Sequence, residues 1–213
     1  MSEPRRDRNL LEATLQNVEV ALDAITSNEA VAAIPVVGTA FKLCKGFDDL
    51  RARAFAAKLA RFFSTSPLPT EAAKVAIVRK MQGSPEEARK VGETLFLVLD
   101  RFIDLEKPEI LAKAFVAYLG GEVSAVELQR LAQAIDIAFS GDLHDLLRAE
   151  ESIIIGNVLG APYIPWMSTL IPSGLTLNVA QGVGVVKMRN EVTPLGRLLW
   201  KAWRHALHDQ PGR

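Results

Sequence analysis

Residues 152–186, SIIIGNVLGAPYIPWMSTLIPSGLTLNVAQGVGVV, run for 35 positions without a charged side chain. In a chain with 23% charged residues, such a segment has to be buried in the protein, cover a partner or enter a membrane. A helix crossing a bilayer needs about 20 apolar residues in one unbroken rod. Gly156, Gly160, Pro162, Pro165, Pro172 and Gly174 interrupt this one every few residues, and open backbone finds no partners in lipid. The second half changes period. Leu175, Leu177 and Val179 alternate with Thr176, Asn178 and Ala180, the pattern of a half-buried strand with its apolar residues inward. Gln181-Gly182-Val183-Gly184 reads as a turn and 185–192 as a returning strand. The expectation is a β-hairpin folded onto helices.

Basic and acidic residues balance at 25 each, so no global field draws the chain to nucleic acid. The charges are unevenly placed. Residues 1–83 carry 12 basic and 9 acidic side chains, 84–151 carry 7 and 14, and 152–213 carry 6 and 2. The single cysteine, Cys44, forms no internal disulfide and builds no thiolate metal site alone; it falls in an apolar helical pattern and reads as a small core residue. The charged start MSEPRRDRN leads into an amphipathic stretch and not into an apolar signal region, which points to a cytoplasmic protein.

Upstream of the uncharged segment the periodicity is helical. Leu11, Leu15, Val18, Leu22 and Ile25 form one apolar stripe over two heptads, suited to packing on its own domain or on a partner. Residues 30–41 are uncharged and broken by Pro35 and Gly38. They read as a buried turn between helices, with a membrane-inserting tip as the alternative. A helix over about 40–63 follows, Leu43, Phe47, Leu50, Phe55, Leu59 and Phe62 on its apolar side and Lys45, Arg51, Arg53, Lys58 and Arg61 on the rest. Ser64 to Pro69 is a loop. Thr70 caps a helix to Gly83. Ser84-Pro85-Glu86-Glu87 starts another, expected to reach about 105 with Leu95, Val98, Leu99, Phe102 and Ile103 on its buried side. Pro108 opens a helix ending at Gly120-Gly121. Ser124-Ala-Val-Glu127 is a capping box before Leu128, Leu131 and Ile135. Asp142 opens a shorter helix to about Glu151, and Thr193-Pro194 opens the last.

These elements define a mainly α chain: a multi-helix body with a C-terminal winged-helix-like region containing one β-hairpin. Three parts are expected: 1–66, an amphipathic helix and helical hairpin; 67–123, a central helical body; and 124–213, the winged-helix-like domain. A winged helix presents a helix to its ligand, here about 162–172, APYIPWMSTLI. That helix offers no arginine, lysine or amide able to pair with base edges. Phosphate contacts would fall to Lys187, Arg189, Arg197, Lys201 and Arg204, with sequence-independent affinity. The apolar helix suits protein docking better, through Tyr163, Trp166, Met167, Leu170 and Ile171. The expected partner is another protein or a second copy, with DNA-binding regulator and membrane-active effector as alternative readings.

Chemistry is not evident. His205 and His208, three apart on the last helix, have only Asp209 near them as a further ligand, short of a tight metal site. His144 lies between Asp142 and Asp145 without a nucleophile signature. Asp100 and Asp104 stand one turn apart beside Arg101 and Lys107, an ion-paired helix face. No phosphate loop, dinucleotide fingerprint, nucleophile elbow or zinc-protease motif is present, so no enzyme activity, cofactor or metal is expected. The stretches AIPVVGTAFKLCKGFDDLRARAFAAKLARFF and LFLVLDRFIDLEKPEILAKAFVAYLGG, with the winged-helix-like end, resemble an uncharacterised group of bacterial helical proteins, some prophage- or defence-associated. The resemblance covers about 30–205. It implies a bacterial cytosolic accessory protein, acting against phage or under stress, and assigns no functional residue.

Overall fold

The computed structural model describes residues 33–35, 50–65, 67–68, 70–155, 164–181 and 187–208. The 11–25 stripe, Cys44, Tyr163, the 182–186 wing and Asp209 lie outside them, as do the side chains of Lys187, His205 and His208. By compactness the chain divides into one unit up to Asp100 and another from Arg101 onward.

The first unit contains α1 (Leu50–Ser64), α2 (Glu71–Gly83) and α3 (Pro85–Arg101). Phe55, Leu59, Phe62, Ile77, Val91, Leu95 and Leu99 are buried, at the three- and four-residue spacings read from the sequence. Thr70 caps α2 by accepting from the Ala73 N–H at 3.2 Å. Ile34 is fully buried, in keeping with a buried turn at Pro35. A Cβ on Gly92 would lie 2.0 Å from the Pro35 carbonyl oxygen, so α3 admits only glycine where that turn crosses it.

α3 stops at Arg101, four residues short of expectation. The reason is a competing cap. The Asp104 carboxylate accepts from the N–H groups of Glu106 and Lys107 at 2.9 and 3.0 Å, satisfying donors at the start of the next helix. Residues 102–106 therefore leave the helix, and Ile103, expected to be buried, is 95% exposed.

The second unit is built around α4 (Lys107–Leu119), KPEILAKAFVAYL. Its sequence is apolar nearly all round, and Ile110, Leu111, Ala114, Phe115 and Tyr118 are buried with their neighbours. α4 packs against α5 (Ala125–Ile137) and against the final helix, α9 (Pro194–His208). Gly121, at φ 82°, reverses the chain between α4 and α5. α5 opens with the expected capping box: Ser124 accepts from the Glu127 N–H while Glu127 accepts from the Ser124 N–H at 2.8 Å. α6 (Ser140–Arg148) begins two residues before Asp142, and α7 (Glu151–Ile155) is a separate helix.

The uncharged segment folds back, as expected, but not through one presenting helix. Its described part holds α8 (Pro165–Thr169), five residues long, and a 3₁₀ turn at Ile171–Ser173 that ends on left-handed Gly174. Strands β1 (Thr176–Gln181) and β2 (Lys187–Val192) pair antiparallel, Thr176 opposite Val192. The expected alternation holds in part, with Val179 half-buried between exposed Asn178 and Ala180, and fails at the start of β1. Thr176 and Val192 are buried and Leu177 is exposed. The Thr176 hydroxyl donates to the Met167 carbonyl, and the Asn190 amide donates to Ser168 Oγ at 2.7 Å. Thr176 and Asn190 thus face α8. Among the described residues no helix is long and apolar enough to cross a membrane.

Candidate functional site

α8 and the turn after it were expected to present a docking face. Met167 and Leu170 instead lie in the core of the second unit, Leu170 completely, while Trp166 and Ile171 are half-buried. The Ser173 hydroxyl donates to the Leu170 carbonyl at 2.6 Å, and Thr176 closes on Met167. A helix of five residues cannot bury its apolar side alone, so its side chains are used to hold it in place. Met167 and Leu170 are therefore corrected from surface to core.

Two basic residues of the last helix, Arg197 and Arg204, are also engaged with the rest of the unit. Arg197 Nε donates to the Ile154 carbonyl at 3.1 Å. Arg204 donates to the Ala149 carbonyl at 3.3 Å, and its guanidinium stands 4.6 Å from the centre of the Trp200 ring. Trp200 Nε1 donates to the same carbonyl at 3.1 Å. These donors meet the last carbonyls of α6 and α7, the groups a helix leaves unsatisfied at its C-terminus. Arg189 pairs with Glu191 on its own strand, and Lys201 is exposed. Two of the five residues read as a phosphate track, Arg197 and Arg204, cap helix ends.

His144 pairs with Glu106, Nε2 to Oε2 at 3.1 Å, and not with the aspartates beside it in sequence. Its ring meets the edge of Trp203, and the amine of buried Lys113 stands 3.6 Å over that ring. Burial lowers the Lys113 pKa, against the opposing charge of Glu109. Asp104 Oδ2 accepts from the Ser140 hydroxyl at 2.6 Å, and the Asp100 backbone carbonyl accepts from Lys58 at 2.8 Å. Among the described residues no group of three metal-ligating side chains occurs.

What sequence reasoning missed lies where the link before α4 meets the end of α5. Asp104 binds Ser140, Arg101 pairs with Asp136 at 2.7 Å, and Lys107 Nζ donates to the Asp136 carbonyl at 3.0 Å. These bonds draw residues 101–107 onto 136–140 and leave apolar side chains outside: Ile103, Leu105 (48% exposed), Ile137 (61%) and Phe139 (73%). A Cβ on Gly141 would lie 2.9 Å from the Phe139 ring, so the ring rests against the first turn of α6. One signal was available: Ile137 falls off the Leu128, Leu131 and Ile135 side of α5. No protein-family model, no curated protein and no solved structure matches the chain.

Proposed function

We propose that the chain is a non-enzymatic helical adaptor or regulator, and that it works by docking another protein on the second unit. The observation that carries the reading is the exposed group Ile103, Leu105, Ile137 and Phe139, held at one place by hydrogen bonds between the links that bear them. Large apolar side chains gathered on a surface mark a contact site, and an aromatic ring at the centre of such a site supplies most of its affinity. The docking face moves accordingly from residues 163–171 to this end of α4 and α5. DNA binding receives less support, because Arg197 and Arg204 are committed to backbone carbonyls.

The test is site-specific photo-crosslinking in the native cell, with benzoylphenylalanine at position 139 and, as control, at exposed Glu86 in the first unit. An adduct with another polypeptide at 139 and none at 86 supports docking. No adduct at 139, or equal labelling at both positions, refutes it.

A further inference from the structure

We infer that the exposed group at the α4–α5 end accepts a cationic amphipathic segment of a partner protein; this rests on the docking reading and adds the chemistry of the occupant. The argument is charge. Residues 101–109 and 136–145 together hold six carboxylates, Asp104, Glu106, Glu109, Asp136, Asp142 and Asp145, against two cations, Arg101 and Lys107, with His144 paired to Glu106 and Lys113 near Glu109. Both cations are directed at Asp136, one to its carboxylate and one to its carbonyl. Burial raises the Asp104 pKa, but hydrogen bonds from Ser140, Lys107 and Glu106 and the charge of Lys107 outweigh it, so the carboxyl is held below its ordinary value and stays ionised. Glu106 and Asp145 are exposed. Two helices start here and two end, so their dipoles oppose one another and the side chains set the sign. The apolar group therefore sits in a negative rim.

That rim selects among occupants. A second copy docked about a two-fold axis would set the same acidic surface against itself, and like charges across an interface are costly. An anionic lipid surface is repelled for the same reason. A helix with lysine or arginine beside apolar anchors three or four residues apart satisfies both features. The site is also ordered in advance by the Asp104–Ser140 and Lys107–Asp136 bonds, which lowers the cost of association.

The experiment is selection of a random 16-residue displayed peptide library on the full chain, after depletion on the Ile103→Ser, Phe139→Ser double variant. Both side chains are exposed, and an unchanged urea midpoint by tryptophan emission verifies that the variant folds. Enrichment of basic peptides with apolar residues at three- and four-residue spacing, bound about tenfold more weakly at high salt, is the expected result. Enrichment of neutral or acidic apolar peptides overturns the cationic partner but leaves docking intact. No enrichment over the variant overturns docking itself. A wild-type dimer that the double variant abolishes, seen by light scattering, replaces the partner with a second copy.

Discussion

The Ala149 carbonyl provides a sharp test of how the second unit is held together. It is buried and takes two side-chain donors from α9, Trp200 Nε1 at 3.1 Å and Arg204 at 3.3 Å. The donors also touch each other, guanidinium over indole. Two couplings of opposite sign follow. A carbonyl that keeps one donor loses about 1 kcal/mol when the other goes, whereas a buried carbonyl that loses both costs about 1–3 kcal/mol more. This makes the double substitution worse than the sum of the singles. The cation–π contact acts the other way, since either single substitution already removes it; with an exposed guanidinium it amounts to about 0.5–1 kcal/mol. The carbonyl term is the larger. We expect Trp200→Phe and Arg204→Met together to destabilise by about 1 kcal/mol more than the separate losses added. Methionine keeps the packing of the arginine stem. The three tryptophans, Trp166, Trp200 and Trp203, all lie in the second unit, so urea unfolding followed by their emission reads that unit alone. A double variant less destabilised than the sum would refute the reasoning, because water would then have replaced the lost donors.

Gly196→Ala places a Cβ 2.2 Å from the Leu175 carbonyl oxygen and 2.7 Å from Val192; overpacking should cost about 1–3 kcal/mol, and an unchanged urea midpoint would show that α9 can move off Leu175 and β2. The Asp104 pKa is lowered in the fold, so its stabilisation is complete above the unfolded carboxyl pKa and fades as pH falls through the folded one. Asp104→Asn should be less stable than wild type at pH 7 and converge with it in acid; a constant difference across pH 2–7 would exclude the ionised cap. Burial lowers the Lys113 pKa, so the fold bears the full cost of the charge below the folded value and is relieved of it as pH rises through that value. Lys113→Met should then hold or raise the midpoint, and a loss above about 2 kcal/mol, the upper range of the Trp203 cation–π contact, would contradict this.

Local signals read well from sequence where their partners are local. The Ser124–Glu127 box and the Thr70 cap lie within three residues of the groups they satisfy, and both helices start as expected. The end of α3 did not read well, because an apolar residue at position 103 extends the helical pattern while Asp104, one residue later, caps the next helix. The start of β1 departs from the alternation for a longer-range reason. Thr176 turns inward because the Met167 carbonyl, nine residues back, needs a donor, a requirement that alternation of apolar residues does not express. The docking face expected at Met167 and Leu170 was misplaced by the same limit: composition shows that a side chain is apolar, and only the fold shows which apolar side chains find cover.

The two features that first suggested function, the uncharged segment and the basic helix, both have structural uses. Met167, Leu170 and Leu175 fill the core of the second unit. Arg197, Arg204 and Trp200 reach 43 to 55 residues along the chain to carbonyls at the ends of α7 and α6, where positive charge also opposes the helix dipole. Stability thus accounts for the side chains that looked exceptional. It does not account for Phe139 and Ile103, which are 73% and 95% exposed and bury little apolar surface in this fold. A fold gains nothing by gathering such groups beside one another on links that Asp104 and Lys107 tie in place. On the proposed docking reading the gain comes when a partner surface covers them, and the acidic residues nearby favour a cationic one.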